Sequence, residues 1–219
     1  MAFDPASLRL CLVTDRGLAG GRSVVDIALA AVSGGATMVQ LREKDATTRA
    51  FVEQARALMA ALKPLGVPLA INDRLDVALA VDADGLHVGQ DDLPVAEARR
   101  LLAPGKFIGL SITAVDQILR PDAEAADYLG VGPIYAQQTK RDAAPPLGVE
   151  GLRRARGLTR QPIVAIGGLT PDNSAPVLAA GADGLAVVSA IVAAGDPEAA
   201  ARRFVGLWGV GLWAVGSRQ

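Results

Sequence analysis

The sequence predicts a single-domain α/β protein of the (β/α)8, or TIM-barrel, class. Short apolar runs alternate with amphipathic stretches along the whole chain. The runs are nearly continuous in apolar residues, as strands covered on both faces are. Eight run-plus-stretch units fill most of the 219 residues, the usual size for one such barrel. A doubly wound sheet is the alternative, but no G-x-G-x-x-G follows any strand.

The first strand is expected over 8–14, where Leu10-Cys11-Leu12-Val13 makes the lone cysteine a core residue. A helix over 22–33 follows and stops at Gly34-Gly35. The second strand, 37–42, begins as a buried run and ends as a charged fork, Gln40-Leu41-Arg42-Glu43-Lys44. Alternation puts Met38, Gln40, Arg42 and Lys44 on one face, with Val39 and Leu41 on the other. Helices over 47–62, 74–80, 94–102 and 114–120 are expected to follow strands two to five, the last three of which span 68–72, 84–88 and 106–111. The sixth strand, 127–132, opens an irregular stretch over 133–148, long enough to be functional and expected as a lid. A helix over 149–158 follows, then a seventh strand over 162–166 ending in Gly167-Gly168. Thr170 before Pro171 reads as a cap for a helix over 172–180, which Gly181 stops. The eighth strand, 184–188, and a helix over 196–205 complete a barrel domain spanning 1–205. An apolar tail over 206–219, carrying Trp208 and Trp213, has no assigned role.

A quarter repeat supports closure. Ala36-Thr37, Ala83-Asp84, Ala126-Asp127 and Ala182-Asp183 introduce the second, fourth, sixth and eighth strands. Chance similarity among Ala-rich segments is the competing explanation.

Composition excludes several classes of function. A formal net charge of −1 without basic runs argues against nucleic acid as a partner. One cysteine gives no disulfide framework or thiolate cluster, and with His87 the single histidine neither a Ser-His-Asp triad nor a His-rich zinc site is expected. No signal peptide or membrane-length apolar run is evident, so a cytoplasmic protein is expected. Its expected partners are small phosphorylated molecules and further copies of itself.

Polar residues collect at the C-terminal ends of the predicted strands. These are Gln40, Arg42 and Lys44; Asn72 and Asp73; Gln90, Asp91 and Asp92; Ser111 and Thr113; Thr139, Lys140 and Arg141; Gly167-Gly168; and Val188-Ser189. Neighbouring parallel strands lie ~4.8 Å apart, so Asp73 and an Asp of the fourth-strand loop can reach one ion. Carboxylates without His or Cys suit Mg²⁺, which typically takes one or two of them plus phosphate oxygens. Asp91 or Asp92 could equally cap the helix that begins near Pro94, but Arg42, Lys44 and Lys140 on the same rim favour a magnesium diphosphate site. The ends of strands seven and eight suggest a second anion site, built from backbone N–H groups. Gly167-Gly168 could also serve only the turn.

The segments Gln40–Lys44, Ile71-Asn72-Asp73, Gly89–Asp92, Gly130–Ile134 with Thr139-Lys140, Ala165–Gly168 and Val188–Ile191 resemble, in order and spacing, the thiamine-phosphate synthase family. The resemblance covers roughly residues 8 to 205. It implies condensation of hydroxymethylpyrimidine diphosphate with thiazole phosphate, giving thiamine phosphate and diphosphate. It places Gln40, Leu41, Arg42, Glu43, Lys44 and Asn72 around the pyrimidine diphosphate, with Leu41 and Glu43 acting through backbone or as support. Asp73 and Asp92 match the family's Mg²⁺ ligands, and Ser111 and Lys140 match diphosphate contacts. Arg42, Lys44, Ser111 and Lys140 are the expected catalytic set. Gln137, Gln138, Thr139, Gly168, Val188 and Ser189 match the thiazole-phosphate site. The implied mechanism is dissociative, which suits a site without an evident general base. Gln137 stands where many members have Thr, and Thr113 where many have His. A thiazole tautomerase and a non-catalytic sensor of thiamine precursors are the alternatives. The missing His and the full magnesium and cation set argue against the first, and Lys140 with the Asp73/Asp92 pair against the second.

Overall fold

The computed structural model describes residues 3–137 and 144–209. Eight parallel strands close into a barrel in sequence order. They are β1 (Leu10–Val13), β2 (Met38–Leu41), β3 (Leu69–Asn72), β4 (Gly85–Val88), β5 (Phe107–Ile112), β6 (Tyr128–Val131), β7 (Ile163–Ile166) and β8 (Gly184–Val187). Around them lie α1 (Val24–Ser33), α2 (Thr48–Leu62), α3 (Leu75–Val81), α4 (Val95–Leu101), α5 (Pro121–Ala125), α6 (Gly148–Leu158), α7 (Ala175–Ala179), α8 (Ser189–Val192) and α9 (Pro197–Gly209). The expected barrel is therefore the observed one.

Strand alternation separates two cores. Val39, Leu41, Ile71, Leu86 and Leu129 face the helices, while Cys11, Met38, Ala70, Phe107 and Tyr128 fill the barrel interior. The interior holds two large rings because glycines face them. A Cβ on Gly85 would lie 2.3 Å from the Phe107 ring, and one on Gly109 would lie 2.2 Å from Cζ of Tyr128. Cys11 is buried there, and desolvation pushes its thiol pKa well up, so it is core and not nucleophile.

The quarter repeat has a physical cause. Oγ1 of Thr37 accepts from Leu10 N, and the carboxylates of Asp84, Asp127 and Asp183 accept from Leu69 N, Ile108 N and Ile163 N. In each quarter, the polar residue before an even strand ties off an amide at the start of the preceding odd strand.

Three helices depart from expectation. Over 114–120 the chain makes a 3₁₀ turn at Val115–Leu119, and α5 starts only at Pro121. Proline disfavours helical backbone in the residue before it, and Arg120 is extended (φ −83°, ψ 151°). Thr170 does not cap a helix. Its own amide is bound by Oδ1 of Asn173, 171–174 form turns, and α7 begins at Ala175. At the C-terminus α9 runs on to Gly209, past the expected end at 205, with Leu207 and Trp208 packed on the outer core. Trp213 lies outside the described residues. No helix among the described residues is long and apolar enough to cross a membrane.

Candidate active site

The C-terminal ends of β2 to β5 bring together most of the charged and amide side chains that the sequence singles out. Gln40, 6 % exposed, points into the barrel mouth and donates through Nε2 to Oδ1 of Asn72 on the neighbouring strand (2.7 Å). The same alternation sends Leu41 into the outer core, where it supports the rim without facing it. Arg42 is held twice: its amide donates to Oγ1 of Thr14 (3.0 Å) and its Nη1 lies 3.3 Å from Oδ2 of Asp15. Glu43 makes the reciprocal ion pair with Arg16, at 3.1 Å. Two successive residues of the first loop, acid then base, thus meet base then acid of the second. Oε1 of Glu43 is buried without a hydrogen-bond partner. Lys44 is exposed, close enough to Asp73 to help lower its pKa.

Asp73 sits in a strained turn. Its φ is +63°, and the amide of Arg74 donates back to the carbonyl of Asn72 (2.7 Å), closing a three-residue γ-turn. Its own amide is anchored on the carbonyl of His87 (2.8 Å). Asp tolerates this conformation better than most residues, yet such strain persists only where surrounding contacts impose it. The turn carries the carboxyl to that of Asp92. Burial first, and then the charge and hydrogen bond of Asp92, raise the pKa of Asp73 to about 6 against the lowering effect of Arg42 and Lys44. Two carboxyls close enough to share a proton form an all-oxygen donor pair that a hard divalent cation fits by displacing that proton. Among the described residues no group of three or more His, Cys, Asp or Glu assembles, so further ligands would come from substrate or water.

The capping explanation for Asp92 does not hold. Its Oδ2 accepts from the amide of Gly89 (2.7 Å), while the first amide of α4, on Val95, is capped by Asp122 (3.1 Å). Thr113 donates its amide to Oε1 of Gln117 (2.7 Å) and stabilises the turn after β5.

Three contributors were not legible as site residues. His87 projects inward from β4, with Nε2 2.9 Å from Oγ of Ser111 and Nδ1 2.9 Å from the hydroxyl of Tyr128. Burial pushes its pKa down to about 4, so the ring is neutral. The single histidine therefore does pair with a serine, a pairing that sequence reading set aside, although its other partner is a phenol and not a carboxylate. Strand parity was the available signal, since His87 shares the inward phase of Ser111. Asp15, directly after β1, is the third. Gln40, His87, Ser111 and Tyr128 line a cavity of about 30 Å³ beneath the rim. A larger open cleft, about 680 Å³, follows Arg156–Arg160 at the opposite end of the barrel, and no rim residue lines it.

The remaining predicted residues lie on the β6–β8 side. Gln138, Thr139 and Lys140 are outside the described residues, and with them the centre of the expected lid. Its base is docked: Ile134 N donates to Ile166 O (2.9 Å) and Tyr135 N to Gly167 O (3.0 Å). Gln137 follows this docked segment. Gly167 and Gly168 both have positive φ (101° and 65°), and a Cβ on Gly168 would lie 2.7 Å from the carbonyl oxygen of Ala136. The glycine pair thus admits the neighbouring loop as well as making the turn. Val188 packs on the interior cluster, and Ser189 opens the four-residue α8 beside it.

Comparison with known proteins shows the family. Residues 10–191 match the family model described as thiamine monophosphate synthase. The thiamine-phosphate synthase of Albidiferax ferrireducens is 56 % identical over 197 residues, covering 90 % of each chain. That of Chloroflexus aurantiacus is 56 % identical over 195 residues, 89 % of this chain and 90 % of its own. Among solved structures, thiamine phosphate pyrophosphorylase from Pyrococcus furiosus superposes with a TM-score of 0.84 at 36 % identity, over 93 % of this chain and 96 % of its own. With matches across nearly the whole barrel, the chain belongs to the thiamine monophosphate synthase family.

Proposed function

We infer that the chain condenses 4-amino-2-methyl-5-hydroxymethylpyrimidine diphosphate with 4-methyl-5-hydroxyethylthiazole phosphate, releasing thiamine phosphate and diphosphate. The observation that carries this reading is the juxtaposition of Asp73 and Asp92 with Arg42 and Lys44 on one rim, in a chain 56 % identical to synthases over most of its length. Gln40 and Asn72, already bonded to each other, present amide groups toward the pyrimidine ring. Arg42, Lys44, Ser111 and Lys140 bind the diphosphate, with Leu41 and Glu43 supporting the Arg42 segment. Asp73 and Asp92 would hold Mg²⁺, which when bound neutralises charge on the leaving diphosphate. Gln137, Gln138, Thr139, Gly168, Val188 and Ser189 receive the thiazole phosphate.

The chemistry follows a dissociative path. The bond from the pyrimidine methylene carbon to the diphosphate oxygen breaks, and its electron pair leaves with diphosphate. The thiazole nitrogen then donates its lone pair to the methylene cation, forming the C–N bond. That nitrogen carries no proton, so the site needs no general base. What it must supply is orientation and stabilisation of developing negative charge, which preorganised cations and hydroxyls provide. The expected homo-oligomer is part of this proposal, and sedimentation would check it.

The test is direct. Purified protein with both substrates and Mg²⁺ should form thiamine phosphate and diphosphate in equal amounts, and omission of either substrate should abolish product. Tight binding of both ligands without product would instead make the chain a sensor.

A further inference from the structure

His87 is the only histidine of the chain, and both ring nitrogens are engaged inside the barrel. The hydroxyl of Tyr128, 1 % exposed, has Nδ1 of His87 as its hydrogen-bond partner, and no other among the described residues. A buried phenolic proton needs an acceptor. Here the acceptor is Nδ1, so that nitrogen keeps its lone pair. A neutral imidazole then carries its one proton on Nε2, which donates to Oγ of Ser111. The serine proton is left without a protein acceptor among the described residues. The reverse chain, with Nδ1–H donating to the phenol and Ser111 donating to Nε2, would strand the Tyr128 proton. It would also turn only lone pairs of Ser111 toward an anion.

The imidazole packs closely against the backbone of β5 and β6. A Cβ on Gly109 would come within 2.5 Å of Nδ1 of His87, and one on Gly130 within 2.9 Å of its Cε1. Gln90 fixes the far side, its Nε2 donating to the carbonyl of Ser111 (2.7 Å).

We propose that Tyr128 is a positioning residue. Acting through the tautomer of His87, it obliges the Ser111 hydroxyl to donate toward the anionic diphosphate. This rests on the diphosphate reading of Ser111 given above. The phenol touches no reacting atom; it sets the direction of a three-member hydrogen-bond chain that runs from the barrel interior to the rim.

Because His87 is the single histidine, ¹⁵N spectra of the tag-free protein report its tautomer without assignment. At pH 7.5 wild type should show a protonated Nε2 and an unprotonated Nδ1. Tyr128→Phe should lose that preference and lower kcat/KM about tenfold, the worth of one hydrogen bond to a charged acceptor. On a Ser111→Ala background the same change should cost nothing further. A protonated Nδ1 in wild type would overturn the proposal. So would equal losses from Tyr128→Phe in both backgrounds, which would mark a packing role. If Tyr128→Phe does not fold, the wild-type spectrum alone decides. The tautomer is read without substrate, so the wrong one in an active synthase sinks this inference and leaves the reaction standing.

Discussion

Asp73 combines a cost to the fold with a proposed role in the site. Its pKa, raised from 3.8 to about 6, means that the folded chain binds more protons than the unfolded chain between those values. Metal-free protein should therefore gain stability from this group as pH falls from above 6 toward 4. Asp73→Asn should raise the melting temperature of the metal-free protein at pH 7.5 and flatten that pH dependence. Asn suits the positive φ, so the turn itself should survive the change. Thermal melts across pH, with and without the substitution, check both statements. Unchanged melts would mean that burial and Asp92 do not hold the Asp73 carboxyl above its ordinary range. The same proton competes with a cation, so apparent Mg²⁺ affinity should weaken as pH falls through 6. At this scale the sequence was partly legible. Arg42, Asp73 and Asp92 stood out because charges at strand ends are conspicuous. His87 and Tyr128 did not, because inward parity looks the same for a core residue and a site residue. What distinguishes them is which facing positions are glycine, and that depends on strands distant in sequence.

Among the elements, the strands were readable because each is an apolar run bounded by turn residues, and the observed strands fall within the expected ones except β5, which runs one residue further, to Ile112. The helices were less so. Proline at 121 and the Asn173 turn act locally against an amphipathic pattern that would otherwise extend. The repeat before the even strands was visible as sequence, but its cause lies in contacts to the preceding strand. Asp127→Ala, which leaves the amide of Ile108 without its acceptor, should cost about 1–3 kcal/mol in denaturant unfolding. Activity per folded molecule should be unchanged, since Asp127 lies at the end of the barrel away from the rim. Gly168→Ala acts at the other end. Its Cβ would meet the Ala136 carbonyl, and its φ of 65° is strained for alanine. The substitution should destabilise by about 1–3 kcal/mol and weaken thiazole-phosphate binding more than pyrimidine diphosphate binding. Separate titrations of the two ligands would show it; equal weakening would place Gly168 outside the thiazole side.

The whole molecule divides its labour between two halves of one rim. β2 to β5 carry the acids and the amides, with Arg42 paired to Asp15 and Glu43 to Arg16 of the first loop, and under the proposed function they hold the electrophile. β6 to β8 carry the glycine turn, Val188 and Ser189, and under the same proposal they receive the nucleophile. Lys140 is placed with the diphosphate by resemblance, so Lys140→Ala should slow diphosphate loss in single-turnover measurements about 10²-fold or more while leaving thiazole-phosphate affinity nearly unchanged. Equal effects on both would move it to the other half. The central claim is that the Asp73–Asp92 pair and the neighbouring cations form a magnesium diphosphate site at which condensation begins. The decisive measurement is the initial rate of thiamine phosphate formation against Mg²⁺ concentration, for wild type and Asp73→Asn. Wild type should require Mg²⁺ and fall silent in chelator, while the variant should need far more metal and remain about 10²-fold slower at saturation. A full wild-type rate in chelator, or an identical Mg²⁺ curve for the variant, would contradict it.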